Sequence, residues 1–419
     1  MDLKRRRILY VEEPAFVGGS VVGLYELVRG LDAGRYEPLV LFHGPNPYRE
    51  RFLALGVRVI VLNKQPPTTA PSASSQRDIA ASLSHYGNWL AAGYRAVKQA
   101  FLLVWRDWPL ARRLARVIDD EAIDLVHCNN SLNRAAIIAA RLAGVPHVCH
   151  VRGLRRLSFV DRYLARSVHS FIYMSRAVEQ CYRSQGIPAS RGQVVYDPIT
   201  VGILGPTDHS AALRAEFGLT DQDWLISNVG RLVWWKGHDD FLRAMAEVIQ
   251  TQPEAKALIV GASDSSPRNQ AYCQELQQLV TDLGLSGHVI FTGFRADVPR
   301  IMAASDVVVH SASEPEPFGR VIAEAMAAGR PVVATAAGGV LDMIEDQVTG
   351  LLVPPRNAPL MARAIQQLLQ DRGQAQVIGQ RARRFVQEHF SLEQHVATVQ
   401  HIYQTVLTPS EQADLTQRV

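Results

Sequence analysis

The chain of 419 residues is 47% hydrophobic and 20% charged, with a formal net charge of +4. This fits a soluble globular protein of two domains, and no apolar run approaches the ~20 residues of a membrane span. Lys4-Arg5-Arg6-Arg7 resembles the start of a signal peptide, but Glu12 and Glu13 follow Ile8–Val11 too soon for its apolar core. Cys128, Cys149, Cys181 and Cys273 share no CxxC spacing; they read as reduced thiols of a cytosolic protein and suggest no zinc site.

Charge is unevenly spread along the chain. Residues 1–200 hold 27 basic and 16 acidic side chains, a balance of +11, whereas residues 201–419 hold 17 and 24, a balance of −7. The first half is therefore expected to meet something anionic. No nucleic-acid motif accompanies the excess. An anionic membrane surface or a phosphate-bearing acceptor suits it better.

Taken in order, the apolar pattern predicts a strand over Ile8–Val11, a loop over Glu12–Gly19 and a helix from about Ser20 to Leu31. Gly18-Gly19 at that junction permits close backbone approach and free N–H groups at a helix start, although a plain turn explains it equally well. Tyr36–Phe42 and Val57–Leu62 read as strands, and their alternation with helices implies a parallel sheet. After the Pro/Ser/Thr-rich Gln65–Arg77, the segment Ala80–Val117 reads as one or two helices kinked or divided at Pro109. It interleaves Trp89, Tyr94, Phe101, Trp105 and Trp108 with Arg95, Lys98, Arg106, Arg112, Arg113 and Arg116. That mixture suits a membrane interface, and equally a helix whose aromatic groups pack on a sheet.

Asp124–Cys128 is a further buried strand, and another apolar strand ends at His150, with Arg152, Gly153, Arg155 and Arg156 beyond it. Ligands of open α/β sheets bind at such carboxyl ends, but a lone strand-end histidine is more often structural. His169–Met174 is a strand, and the Pro- and Gly-containing Asp197–Asp208 reads as an interdomain linker. The second half opens on a strand from Trp224 that ends in Gly230-Arg231. A loop through Trp234, Trp235 and Lys236 then reaches Gly237 and a helix from about Asp239. Only five lysines stand against 39 arginines, so Lys236 is not simply the default cation. Arg231 and Lys236 both occupy loop positions, and replacing either is expected to leave folding nearly unchanged. Strands over Lys256–Val260 and His288–Thr292 end in Gly261 and Gly293-Phe294. Asp221-Gln222-Asp223 matches a D-x-D metal pattern but precedes a strand instead of following one, so it reads as a solvated turn. Neither G-x4-G-K-[ST] nor G-x-S-x-G occurs.

The most informative stretch runs from Glu314 to Thr335, EPEPFGRVIAEAMAAGRPVVAT. Pro315 and Pro317 hold the acidic turn extended, Arg320–Ala328 is helical by propensity, and Gly329-Arg330-Pro331 ends the helix before a short buried strand. Gly319 permits a ligand close to a helix start whose free N–H groups and dipole favour an anion, most naturally phosphate. Glu316 lies in the turn and Glu324 within the helix, each able to accept from hydroxyl groups. One motif thus suits a phosphate held between two hydroxyl-bearing groups, as in a nucleotide-sugar.

This stretch, with GGVLDMIEDQVTGLLV from Gly338 to Val353, resembles the signature of the family-four (group 1) retaining glycosyltransferases, which have the GT-B fold. The resemblance covers most of the chain, most sharply 224–355. It implies two Rossmann-like α/β domains facing a cleft: 1–196 on the acceptor side, 209–389 on the donor side, and a helix in 390–407 packing back on the first. It implies a UDP-sugar or GDP-sugar donor, no cofactor and no required metal. Arg231 and Lys236 would take the donor diphosphate, where fixed cations stabilise the charge that grows on the leaving group. Phe318 and Gly319, with Arg320 and Val321 at the helix start, would offer backbone N–H groups to phosphate and sugar. Glu316 would hold sugar hydroxyls, Glu324 the ribose, and His150 would border the donor sugar. Gly18 and Gly19 would face the donor, and Gly293 and Phe294 would lie near its base. Asp342 stands where the family often has glutamate. The acceptor implied is a lipid-linked or polysaccharide chain, met in the cytoplasm or at the inner face of a membrane, with no nucleic acid involved. Two rivals share this fold: a nucleotide-sugar epimerase, and a silent nucleotide-sugar-binding partner in a polysaccharide assembly complex. The E-x7-E context matches transferases better than epimerases, and intact Arg231, Lys236, Glu316 and Glu324 argue against the silent reading.

Overall fold

The computed structural model describes residues 5–13, 18–62, 97–199 and 210–408. The chain divides into two compact units. The first takes the described residues of Met1–Met174, Val178–Val195 and His395–Val419; the second takes Ser175–Ala177 and those of Tyr196–Gln394.

In the first unit β1 (Arg6–Glu12) lies between β2 (Tyr36–Phe42) and β4 (Leu125–Asn130), with β3 (Arg58–Val61) beyond β2. β5 (His147–Val151), β6 (Ser170–Tyr173) and β7 (Gly192–Val194) follow on the other side, giving the order β3-β2-β1-β4-β5-β6-β7. All pairings are parallel. Helices cover such a sheet on both faces, so its inner strands are continuous apolar runs without alternation. Strand order reverses between β1 and β4, and the crevice outside the carboxyl ends at such a reversal is where ligands of open sheets bind.

The expected helical segment around Pro109 is one rod with a defect. Residues 97–102 are helical, Leu103–Asp107 widen into a π-type turn, and Trp108–Asp120 continues as α-helix. Pro109 sits in the first turn of that last piece, where a missing N–H costs no hydrogen bond. Trp89, Tyr94, Arg95 and the stretch Gln65–Arg77 lie outside the described residues, as do 200–209 of the expected linker.

The helix Leu392–Leu407 buries His395, Val396, Val399, Ile402 and Tyr403, one face at helical spacing. From His395 onward it belongs to the first unit. There the Tyr403 hydroxyl meets the Tyr10 hydroxyl at 3.1 Å and His127 Nδ1 at 2.7 Å. Phe390, read from sequence as the start of this helix, belongs to the second unit and packs on Tyr196 and Phe318.

The second unit repeats the theme with β8 (Trp224–Val229), β9 (Ala255–Val260), β10 (Val289–Gly293), β11 (Val307–His310), β12 (Val332–Thr335) and β13 (Leu351–Val353). The order β10-β9-β8-β11-β12-β13 is again all parallel and reverses between β8 and β11. Ile226, Ile259, Val309 and Val333 from its strands meet Phe241, Met245, Met361 and Ile365 from helices in one apolar core. Among the described residues no helix is long and apolar enough to cross a membrane.

Candidate functional site

The strand reversal of the second unit carries its densest polar chemistry. Beyond β8, residues Trp234–Lys236 form a single 3₁₀ turn that Gly237 closes with φ 66°. A side chain on Gly237 would meet the Ser311 carbonyl oxygen at 2.0 Å, so the turn can lie this close to the end of β11 only with glycine there. The contact is tied down by hydrogen bonds. Asn228 Nδ2 donates to Ser311 Oγ at 2.8 Å, Ser311 Oγ to the Lys236 carbonyl at 3.0 Å, and Ser313 N–H to the Trp235 carbonyl at 2.9 Å.

That framework aims Lys236 Nζ at the carboxylate of Glu316, with which it forms an ion pair; Lys236 Nζ also lies 4.7 Å from the centre of the Trp235 ring. Glu316 is buried, and His310 Nε2 stands 3.3 Å from the same carboxylate oxygen. Burial by itself would raise the pKa of Glu316, but the His310 hydrogen bond and the Lys236 charge outweigh it and bring it down to about 2. The expectation that Lys236 is dispensable for folding does not survive this contact, since removing it leaves a buried carboxylate without its cation. Arg231, by contrast, is exposed and makes no ion pair among the described residues.

Gly319, with φ 94°, leads into the helix Arg320–Ala327. Phe318 is buried and packs between Tyr196 and Phe390, so only its backbone is on offer to a ligand. Among the described residues no backbone group accepts from the N–H groups of Phe318, Gly319, Arg320 or Val321. They form an anion-seeking row at a helix start. Glu324, one turn in, accepts from Arg320 Nε at 2.8 Å, and Arg320 also reaches the Pro198 carbonyl at 3.3 Å. Gly338 and Gly339 lie against the backbone of Glu316 and Pro317, with Gly339 N–H donating to the Glu316 carbonyl at 2.7 Å. Asp342 accepts from Arg176 N–H at 2.6 Å and so has a partner within its own unit.

Gly293 and Phe294 lie at the carboxyl end of the edge strand β10, two strands from β8. The Gly293 carbonyl accepts from Gly261 N–H at 3.0 Å, and the Phe294 ring is 80% exposed. Trp234 lies under Arg268, whose guanidinium carbon is 4.6 Å from the ring centre. Asp223 of the D-x-D match closes a turn by accepting from Thr220 N–H and Oγ1, each at 2.7 Å.

In the first unit the strand reversal holds a buried polar chain. Ser20 Oγ, just after Gly18 and Gly19, donates to Glu12 at 3.0 Å, and Asn129 Nδ2 donates to the other Glu12 oxygen. Arg152 Nε donates to Asn129 Oδ1 at 3.2 Å, and Arg152 Nη2 stands 3.3 Å from His150 Nδ1. Burial raises the pKa of Glu12, only partly offset by Asn129 and the Arg152 charge. Glu12 and Asn129 were not picked out from sequence, whereas Arg152 was read only as lying beyond the end of its strand. A carboxylate closing an otherwise apolar strand, next to Gly18-Gly19, was the available signal. His150 lies one layer deeper than a strand-end reading suggests: its ring is fully enclosed beside those of His127 and His395. Burial first, then the Arg152 charge, hold it well below the usual histidine range, so it is a neutral ring.

The described aromatic groups of the interleaved segment, Phe101, Trp105 and Trp108, are not core. Trp105 is 71% exposed, and Phe101 stacks on it at 5.9 Å. Arg112, Arg113 and Arg116 are exposed and form no ion pair among the described residues. Of the arginines beyond β5, Arg152 is buried in the polar chain above and Arg155 reaches Asp161 at 3.8 Å.

Comparison with known proteins follows the same division. The family model described as "Glycosyl transferase 4-like domain" matches residues 18–197, and that described as "Glycosyl transferases group 1" matches 210–385. The chain is 28% identical to the N-acetyl-alpha-D-glucosaminyl L-malate synthase of Bacillus anthracis over 72% of this chain and 80% of that one. It is 29% identical to the alpha-D-kanosaminyltransferase of Streptomyces kanamyceticus over 58% of this chain and 67% of that one. Among solved structures, HepE of Anabaena in complex with UDP superposes with a TM-score of 0.78 at 26% identity, covering 95% of this chain and all of that one.

Proposed function

The chain belongs to the group 1 glycosyltransferases, of GT-B fold, and we propose that it moves a hexosyl-type sugar, with retention, from a nucleoside-diphosphate sugar to a lipid-linked or polysaccharide acceptor. The observation that carries this reading is the Lys236–Glu316 pair beside the unused N–H groups of Phe318–Val321 at the strand reversal of the second unit. Lys236 and the exposed Arg231 take the diphosphate, and the N–H row receives phosphate and sugar oxygens. These fixed donors act most strongly as negative charge collects on the departing diphosphate. Glu316, kept ionised by His310 and Lys236, accepts from sugar hydroxyls, and Glu324 accepts from the ribose. The UDP held by HepE supports a uridine donor, with a GDP-sugar as the second choice. No metal or organic cofactor enters this reading. His150 borders the donor sugar and holds Arg152 at the strand end.

Titration with a panel of UDP- and GDP-sugars, following heat of binding and release of the nucleoside diphosphate, tests the assignment. Binding without turnover on any acceptor would favour the silent partner, and conversion of the free donor the epimerase. The two glutamates separate by a further measurement. Glu324→Gln is expected to weaken UDP binding about 10- to 100-fold, the worth of hydrogen bonds to a charged group. Glu316→Gln is expected to spare UDP binding and still impair transfer. Equal losses of UDP affinity in both variants would overturn this division of roles.

The exposed aromatic and basic face of the first unit supports docking on an anionic membrane. Each basic group close to such a surface contributes about 1 kcal/mol, fading within a Debye length. Flotation with vesicles containing phosphatidylglycerol should show binding that falls with salt and drops when Arg112, Arg113 and Arg116 become glutamine. Indifference to such vesicles at low salt would remove the membrane from the reading and leave a soluble acceptor.

A further inference from the structure

Two unlike cavities of the first unit share the helix Arg134–Leu142 and the helical segment around Pro109. Near the start of the 134–142 helix lies a polar cavity of about 470 Å³, walled by three arginines, Arg106, Arg134 and Arg155, against two acids, Glu13 and Asp107, with His43 and Asn133 among the rest. At the other end, about 12 Å along the axis at 1.5 Å per residue, lies an apolar cavity of about 580 Å³. Trp108, Ile138, Leu142, Phe159, Tyr163 and Leu164 contribute to its wall, and Arg141 is its one charged lining residue. Its rim is unusually bare of polar cover: Leu142 is 52%, Phe159 57% and Tyr163 60% exposed. Apolar surface gathered around a hollow in this way marks a place where an apolar group is received.

An ion cluster forms part of the wall of the polar cavity. Arg134, itself buried, donates to Asp161 at 2.7 Å and to Ser158 Oγ at 3.0 Å, and lies 3.7 Å from Asp107. Arg106 and Arg155 complete the cluster from the surface, pairing with Asp107 at 2.7 Å and Asp161 at 3.8 Å. Arg134 is engaged through all three of its guanidinium nitrogens. Arg106 and Arg155 are about half exposed and line the polar cavity, a residue type suited to an oxyanion. Arg141 at the apolar cavity adds a third cation.

We propose that these cavities together receive one amphiphile, a phosphate-bearing lipid whose phosphate and head group occupy the polar cavity and whose hydrocarbon chain lies in the apolar one. A polysaccharide would leave the apolar cavity wet, and a bare sugar phosphate would leave it unused; an isolated hydrocarbon would leave the arginines without an anion. That this amphiphile is the acceptor rests on the transfer reading above and narrows its acceptor to the lipid-linked class. The observation of two adjoining cavities of opposite character does not depend on that reading.

Calorimetry of the full chain with butyl, octyl, decyl and dodecyl phosphate, each below its micelle concentration, tests the proposal. Affinity is expected to rise about fourfold per added methylene until the cavity is filled. The double variant Leu142→Gln, Tyr163→Ser alters exposed side chains, so folding should hold. It is expected to flatten the chain-length series and leave butyl phosphate unchanged. Arg155→Gln is expected to weaken every member about tenfold without altering the slope. A flat series in the native protein, a slope that survives the double variant, or decanol binding as tightly as decyl phosphate would each overturn the proposal. So would binding seen only with vesicles and never with monomeric alkyl phosphates, which would identify a membrane-docking face alone. UDP binding measured in the same samples reports separately on the donor assignment.

Discussion

Lys236→Ala is expected to lower the transfer rate about 10²–10³-fold, the loss typical of removing one preorganised donor from a charge-developing transition state. The same substitution should also weaken the fold, and the two effects can be separated. Lys236 pairs with Glu316, which is buried and otherwise met at that carboxylate oxygen by His310. Deleting one partner of a buried pair strands the other charge and costs about 3–5 kcal/mol, more than the pair itself contributes. Lys236→Ala with Glu316→Gln removes the stranded charge, so thermal stability should return toward the native value while the rate stays low. Arg231→Ala supplies the contrast, with a comparable loss of rate and little change in melting temperature, because Arg231 is exposed and unpaired among the described residues. Steady-state release of nucleoside diphosphate together with thermal melts measures both. A full-rate Lys236→Ala protein would remove Lys236 from the diphosphate, and an unchanged melting temperature would remove the buried pair.

This pair shows how far the sequence could be followed. The residue types were legible: a rare lysine before a glycine, and an acid in a proline-stiffened turn before a helix. Their meeting was not, because it is made by Gly237 closing on Ser311 and by the adjacency of β8 and β11, strands far apart in the chain. The sheets themselves were easy to read, since parallel strands buried on both faces appear as plain apolar runs. His150 was read at the end of its strand, which runs one residue further to Val151, and its depth was not legible. Its depth is set by the helix Leu392–Leu407, whose His395 stacks over it, and nothing local to β5 encodes that cover. Glu12 escaped for the opposite reason. A carboxylate after apolar residues looks like the end of a strand, and only the donors from Ser20 and Asn129 show that it is held inside. The aromatic and basic segment left two readings open because helical periodicity alone cannot say whether a neighbouring element covers it.

The enclosed histidines lead to the second large effect: the first unit should lose its fold on mild acidification, before the second. Burial, followed by the charge of Arg152, pushes His127 down to about 3. Burial, followed by the charge of His169, pushes His147 down to about 4, and His150 lies well below its ordinary value. In the unfolded chain all of these titrate near 6.5. Between that value and about 4 the unfolded state therefore binds more protons than the folded one, and stability falls as pH falls. It is complete above pH 6.5. Below that, each such histidine removes about 1.4 kcal/mol per pH unit, so His127, His147 and His150 together give a slope of about 4 kcal/mol per unit. A domain stable by 5–15 kcal/mol does not survive far down such a slope. The second unit carries the same burden on His238, held at about 4 by burial, while the depressed Glu316, at about 2, withdraws its contribution only as pH drops below 4.5. Melting followed at pH 7, 6 and 5 should thus show an early transition that moves steeply with pH and a later one that moves less. His147→Leu removes one titrating group and should flatten the early transition by about 1.4 kcal/mol per pH unit. An early transition that stays fixed from pH 7 to 5 would mean that the folded first unit admits protons to these rings, and that the helix Leu392–Leu407 does not seal His127 and His150 from water.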